Sequence, residues 1–283
     1  MDELAYATDA PDRRLTILEP TSGWVSPRLR ELWDHRELLY FLAWRDIKVR
    51  YKQTLVGAAW AVFQPVMTVV IFTLLLGHLG KLPSNVPYAL LVFSGMLPWM
   101  LFANSLSLSS ASVLTNQALV TKVYVPRLLL PIAATIVCLI DFGLAFIVFL
   151  FVMAYYGVAP TVAVLALPLL VVFALVTSLS IGLWVSALNV RYRDVQYALP
   201  FVVQIWFFLT PVTYSAQVIP SKWRLIYGLN PMAGVVQGFR WALIGEAPSV
   251  GPLIALSFGL VLLLLVGGIA YFRRVEKSFA DVI

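Results

Sequence analysis

Few residues in this chain are equipped for chemistry, and where they fall says more than how many there are. Asp141 is a lone carboxylate within an apolar stretch from Leu128 to Ala154. At bilayer depth such a group costs about 2.5–3.5 kcal/mol on insertion scales. It either faces a hydrated pathway or is hydrogen-bonded within helix packing, and the sequence leaves both open. One acid alone makes neither a proton relay nor an acid/base pair. With two histidines (His35 and His78), one cysteine (Cys138), no HExxH and no paired-cysteine spacing, a metal site is not expected. The lone cysteine also rules out an internal disulfide. No GxxxxGK[ST] loop is present, since Gly80-Lys81 is followed by Leu82. Nucleotide hydrolysis by that route is therefore excluded for this chain.

The densest chemical feature is basic. Arg45-Asp46-Ile47-Lys48-Val49-Arg50-Tyr51-Lys52 abuts a run without Asp, Glu, Lys or Arg that continues to Gly80. Such a boundary marks where a helix on the cytoplasmic surface turns into a bilayer. Tyr40, Trp44, Ile47 and Tyr51 share one helical face, with Arg45, Lys48 and Lys52 on a second face about 100° around. The segment 36–54 is expected to be an amphipathic interface helix. Its plainest use is as an anchor whose basic stems snorkel to the headgroups.

Two further patterns are polar or aromatic. Ser105, Ser109, Ser112 and Asn116 form one helical stripe, which either hydrates a channel or lets two helices pack closely. Trp60, Phe63, Trp99, Phe102, Trp206 and Trp223 are among many rings that serve as headgroup-level belts or line a passage.

These residues need membrane-spanning helices to hold them. The 283 residues are 61% hydrophobic and 12% charged, with mean hydropathy +0.88, which excludes a soluble globular domain. The net charge of +6 then points to anionic headgroups and not to nucleic acid. Six segments suffice to cross about 30 Å of hydrocarbon: 55–79, 86–110, 129–156, 161–188, 196–214 and 250–272. The turn Gly157-Val158-Ala159-Pro160 makes the third and fourth antiparallel neighbours. In the outer segment 215–249, two short apolar stretches flank Asn230-Pro231. They are expected to dip into the membrane as a re-entrant hairpin, or else to lie on it as an amphipathic loop. Of the twenty Lys and Arg residues, only Lys81, Lys222, Arg224 and Arg240 fall opposite the N-terminal segment, so both termini are expected in the cytoplasm. The start, Met1-Asp2-Glu3, lacks the basic and apolar regions of a cleaved signal peptide.

Several blocks carry a family resemblance. They are Arg45 to Thr54, Gly57, Trp60, Gln64-Pro65, Pro98-Trp99, Val125-Pro126-Arg127, Asn189 to Asp194, Pro211 to Ser215 and Leu229-Asn230-Pro231. From about residue 36 to the C-terminus the chain resembles the permease subunit of ATP-binding-cassette exporters for O-antigen, capsule and teichoic-acid polymers. The resemblance implies an all-α polytopic membrane protein with six transmembrane helices and an N-terminal amphipathic interface helix. An outer re-entrant gate hairpin, about 218–245, would precede the last span. The permease domain would be 55–273, between cytoplasmic tails 1–35 and 274–283, in a bacterial inner membrane.

Its partners would be a second copy of itself, two ATP-binding subunits, membrane lipids and a lipid-linked polysaccharide. ATP and Mg²⁺ would be held by the partner subunit, with no cofactor in this chain. The coupling region would be 114–127, docking through Leu119, Lys122, Tyr124 and Arg127, with Arg191, Arg193 and Asp194 as a second contact. Arg45, Lys48, Arg50 and Lys52 would meet the lipid diphosphate. Conduit and gate candidates are Trp60, Phe63, Trp99, Phe102, Ser105, Ser109, Asp141, Trp206, Tyr214, Trp223, Asn230 and Pro231. The alternatives are a drug or lipid exporter permease of the same fold and a polytopic transferase on lipid-linked sugars. A transferase should cluster acids or histidines at one face, yet the loops offer only Asp194 and Glu246, on opposite sides.

Overall fold

The computed structural model describes residues 29–52, 57–75, 86–123, 125–215, 220, 223–246, 251–277 and 279. Among them the regular elements are all helical: α1 Leu29–Asp34, α2 Arg36–Lys52, α3 Gly57–Phe72, α4 Tyr88–Thr115, α5 Gln117–Lys122, α6 Leu129–Tyr155, α7 Leu167–Arg191, α8 Val195–Leu209, α9 Arg224–Leu229, α10 Pro231–Ile244 and α11 Gly251–Glu276. A 3₁₀ turn, Val162–Ala166, leads directly into α7.

Four helical stretches are long and apolar enough to cross a membrane: Tyr88–Thr115, Leu129–Tyr155, Val162–Arg191 and Leu256–Glu276. They correspond to the second, third, fourth and sixth expected spans. The first and fifth appear as shorter apolar helices, Val62–Leu75 and Val195–Leu209. The fifth was expected to reach residue 214 but stops at Leu209. Thr210 precedes Pro211, whose ring disfavours helical backbone in the residue before it, and Thr210 adopts an extended ψ of 136°. The 15 residues of α8 reach about 22 Å at 1.5 Å per residue, short of a hydrocarbon core.

Side-chain pairs give the helix directions. Phe93 of α4 meets Phe149 of α6 while the opposite end of α6 joins α4 through α5, so these two run antiparallel. The reversal after α6 uses Gly157 at φ 66°, a left-handed conformation that costs glycine little. Helix α7 runs parallel to α4, with Ser109 against Gly182 and Asn189 Nδ2 donating to the Ser110 carbonyl at 2.9 Å. Helix α11 runs parallel to α7: Phe173 stacks on Phe258, and Trp184 on Tyr271 at 4.9 Å. One end of the bundle therefore gathers the ends of α4, α7 and α11, all of α5 and the start of α6.

Of the serine stripe, Ser109 lies in the seam between α4 and α7. Ser105, Ser109 and Ser112 are buried, and the Ser109 and Ser112 hydroxyls donate to carbonyls one turn back. A Cβ added at Gly182 would fall 2.0 Å from Ser109 Oγ. Gly182→Ala is expected to cost about 1–3 kcal/mol through overpacking, with recovery when Ser109→Gly is added. Thermal unfolding of both variants checks this; equal midpoints for Gly182→Ala and the parent would remove the close-packing account.

Helix α2 packs against α6 through a face that the sequence pattern did not single out. Its buried residues are Leu42 and Ala43, packed among Leu129, Ala133 and Val137, with Leu38, Leu39 and Ile47 alongside. Tyr40 and Trp44 are stacked on each other and exposed. Aliphatic and small side chains let two helices approach closely, and the bulkier rings of Tyr40 and Trp44 are left outward. The C-terminal end of α2 reaches Asp141, twelve residues beyond the start of α6 and about 18 Å along its axis. So α2 climbs beside the first half of α6.

Candidate functional site

At the C-terminal end of α2, Arg50 Nη1 lies 2.5 Å from Asp141 Oδ2, and the Tyr51 hydroxyl donates to Asp141 Oδ1. Burial first, and then the neighbouring carboxylate, push the Tyr51 phenol above its ordinary range, so it remains a donor at neutral pH. Five residues earlier, Arg45 pairs with Asp46 at 2.7 Å and donates to Asn116 Oδ1 at 2.6 Å. Asn116 is the hinge residue between α4 and α5. Two of the four expected lipid-diphosphate cations are thus engaged within the chain. Lys48 Nζ sits 5.3 Å from the Trp44 ring, and both Lys48 and Lys52 are exposed.

Residues Leu119 and Lys122 lie on α5, with Arg127 in the turn before α6. Tyr124 falls outside the described residues. Arg191, Arg193 and Asp194 are exposed in the turn between α7 and α8, at the same end of the bundle. The arginine side chain of Arg191 lies over Tyr192 at 5.7 Å.

The other end is pinned by a polar network that sequence reasoning only partly found. Asn230 caps α10, its Oδ1 accepting from Met232 N at 3.1 Å and from Trp206 Nε1 at 3.0 Å. Pro231 at the first helical position suits this start, since its missing N–H would have no partner there. Asn230 Nδ2 also donates to Thr210 Oγ1 at 3.0 Å, so one side chain joins α8, the turn after it and α10. The Tyr214 and Tyr227 hydroxyls meet at 2.7 Å, and Tyr88 donates to the Thr213 carbonyl at 2.5 Å.

Arg240 lies at the centre and is 1% exposed. Its Nη2 donates to Val212 O at 2.7 Å, Nη1 to Tyr214 O at 2.9 Å and Nε to Leu91 O at 3.3 Å. Glu246 Oε2 is 4.0 Å from Nε, and Ser215 Oγ donates to Glu246 Oε1 at 2.6 Å. From sequence, Arg240 counted only as an outer-side cation. An arginine inside an apolar 14-residue helix is itself a signal that could have found it.

Aromatic candidates divide between core and surface. Trp99, Phe102, Trp206 and Phe207 form a ring cluster with centroid spacings of 5.1–5.6 Å, and Trp99 and Phe102 are buried in the chain's core. Trp60 and Phe63 stack on each other on the exposed face of α3, and Trp223 is also exposed. Helix α8 presents Tyr197, Phe201 and Phe208 outward.

A model of the family described as ABC-2 type transporter matches residues 37–244, taking in all but the first residue of α2, α5, the Arg191–Asp194 turn and α10. The chain belongs to this transporter family. An O-antigen export system permease protein RfbA of Myxococcus xanthus is 31% identical over 260 residues, covering 90% of this chain and 98% of the relative. One of the same name from Klebsiella pneumoniae is 26% identical over 257 residues, covering 87% and 95%. The polysialic acid transport protein KpsM of Escherichia coli is 20% identical over 236 residues, covering 83% and 92%. In this ABC-2 chain the apolar helices make a membrane protein whose two ends differ. One carries exposed basic turns, and the other a buried arginine clamp.

Proposed function

We propose that this chain is the membrane-spanning subunit of an ATP-driven exporter that moves a lipid-linked polysaccharide, of the O-antigen or capsule class, across the bacterial inner membrane. The observation that carries this reading is the near end-to-end match to an O-antigen export permease, 31% identical over 98% of that protein. The chain acts as a transporter subunit, and a separate ATP-binding subunit supplies hydrolysis. In this reading two copies and two ATP-binding subunits assemble. Both termini lie in the cytoplasm, with α3 and α8 completing six spans, α8 together with the turn 210–215 that continues it, and α9–α10 forming the re-entrant hairpin.

A glycan in hydrocarbon would forfeit its hydrogen bonds to water, so the passage must be hydrated. The rings of Trp99 and Phe102 fill the core of a single chain. This favours a conduit walled by the outward faces of α3 and α8 from two copies, where Trp60, Phe63, Phe201 and Phe208 offer ring surfaces to sugar C–H groups. Closure of the ATP-binding subunits pushes on α5 and on the Arg191–Asp194 turn, and a rigid-body shift of the bundle advances the polymer.

The test is purification of the full-length chain from its native membrane, followed by proteomics and an ATPase assay. Recovery of a separate ATP-binding subunit with hydrolysis that depends on it is the expected result. Recovery of the chain alone, with no ATP-binding partner captured by cross-linking, overturns the proposal.

A further inference from the structure

We infer that a cavity between the coupling segment and the end of α11 is a binding site for the phosphate or diphosphate group of a membrane lipid. The cavity has a volume of about 470 Å³, and four cations line it, Lys122, Arg127, Arg273 and Lys277, against one carboxylate, Glu276. It lies at the end of the bundle where α5, the start of α6 and the end of α11 come together. Like charges gathered around one concavity raise its potential and draw in a counter-anion. A phosphate group answers them with several acceptor oxygens at once.

The fold holds this wall in place from behind. Phe279 is buried against Phe272 at 5.4 Å, and the Arg127 guanidinium lies 5.8 Å from the Phe279 ring. Arg273 lines the cavity and is itself buried, 6% exposed. Arg273, Glu276 and Lys277 already make contacts within the chain, so Lys122 and Arg127 are the principal ligands. Between the cations the wall is aliphatic, with Val123 and Leu128 among its residues. That combination suits a headgroup with its first carbons better than a free ion. Arg45 and Arg50 are already paired inside the chain, and the cavity offers a second set of cations at the same end.

The site does not depend on the exporter reading, except that a polyprenyl diphosphate as ligand would follow from it. The experiment places the full-length chain in phosphatidylcholine nanodiscs. Added phosphatidylglycerol or a polyprenyl diphosphate is titrated by native mass spectrometry, with inorganic diphosphate as soluble competitor. Lys122→Gln and Arg127→Gln are each expected to weaken retention of a phosphate-bearing lipid about tenfold, the loss of one charge-assisted hydrogen bond. Arg274→Gln, exposed at the same end but off the cavity, should bind as the parent does. Selective loss of the polyprenyl diphosphate supports a carrier site, and equal loss of both lipids supports a bilayer-lipid site. Competition by inorganic diphosphate supports recognition of the phosphate itself.

Unchanged retention in the Lys122→Gln, Arg127→Gln double variant overturns the inference, as does an equal loss with Arg274→Gln. So does a double variant that keeps its lipid and loses a co-purifying ATP-binding subunit, because the cavity would then be a protein contact. Lys122 is exposed, so its single replacement keeps the test available if the double variant does not fold. If no ATP-binding subunit accompanies the parent while lipid retention responds as expected, the exporter reading falls and the site stands.

Discussion

Arg240→Ala is expected to destabilise the chain by about 3–5 kcal/mol, the range for removing one partner from a buried charged network. Three carbonyls, from Leu91, Val212 and Tyr214, lose their donor together, and Glu246 loses its nearby cation. Arg240→Lys should rescue only part of the loss, since an ammonium cannot span three acceptors that a planar guanidinium reaches in a fork. Glu246→Gln should cost far less, about 1 kcal/mol or below, because at 4.0 Å the carboxylate adds attraction without a hydrogen bond. Thermal unfolding in detergent, followed by tryptophan fluorescence and size-exclusion monodispersity, provides the ranking. If Arg240→Ala unfolded within a degree or two of the parent, the carbonyls would have other partners, and the clamp would not hold that end of the bundle together.

The second large effect is expected at the pair of Arg50 and Asp141. Arg50→Ala leaves a carboxylate halfway along a long apolar helix and should cost about 3 kcal/mol, somewhat lowered by the part-exposure of both groups. Replacing both partners, as Arg50→Met with Asp141→Leu, removes the charge together with its need for a partner. That double variant is expected to come back to within about 1 kcal/mol of the parent. Protease sensitivity of α2 and the unfolding midpoint should move together across the cycle. Export by the stable double variant then separates two roles. Retained export makes the pair an attachment for α2, whereas lost export in a well-folded protein gives Asp141 a part in transport. Additive single effects would mean that the two residues do not act as a pair.

What the sequence made legible follows from the kind of signal each feature leaves. Long apolar runs announce themselves, so α4, α6, α7 and α11 lie close to the expected spans. The stop of α8 at Leu209 was written in Thr210-Pro211 and outweighed by the apolar residues around it. Asn230-Pro231 read correctly as a break between two short helices, because a capping side chain followed by proline is a local pattern. The packed face of α2 was not legible. A helix with rings on one side and small aliphatic residues on another can pack through either, and the shape of α6 decides. Asp141 was visible as an expensive residue, but its partners lie 90 and 91 residues away on α2, and one sequence carries no record of that distance. Arg240 stood out as a cation in an apolar helix, but its partners were hidden because they are backbone carbonyls, which every residue possesses.

The stack of Trp184 on Tyr271 has a mechanical consequence. Trp184 also donates from Nε1 to the Leu264 carbonyl at 3.0 Å, and a Cβ at Gly267 or Gly268 would come within 2.9 Å of a neighbouring atom on α7. Helices α7 and α11 are thereby riveted over their final turns, with no slack for one to slide past the other. The Arg191–Asp194 turn tips one of these helices, and the Arg273–Lys277 wall tips the other. A displacement of that turn is therefore expected to carry with it a wall nearly 80 residues further along the chain. The two behave as adjacent teeth of one gear.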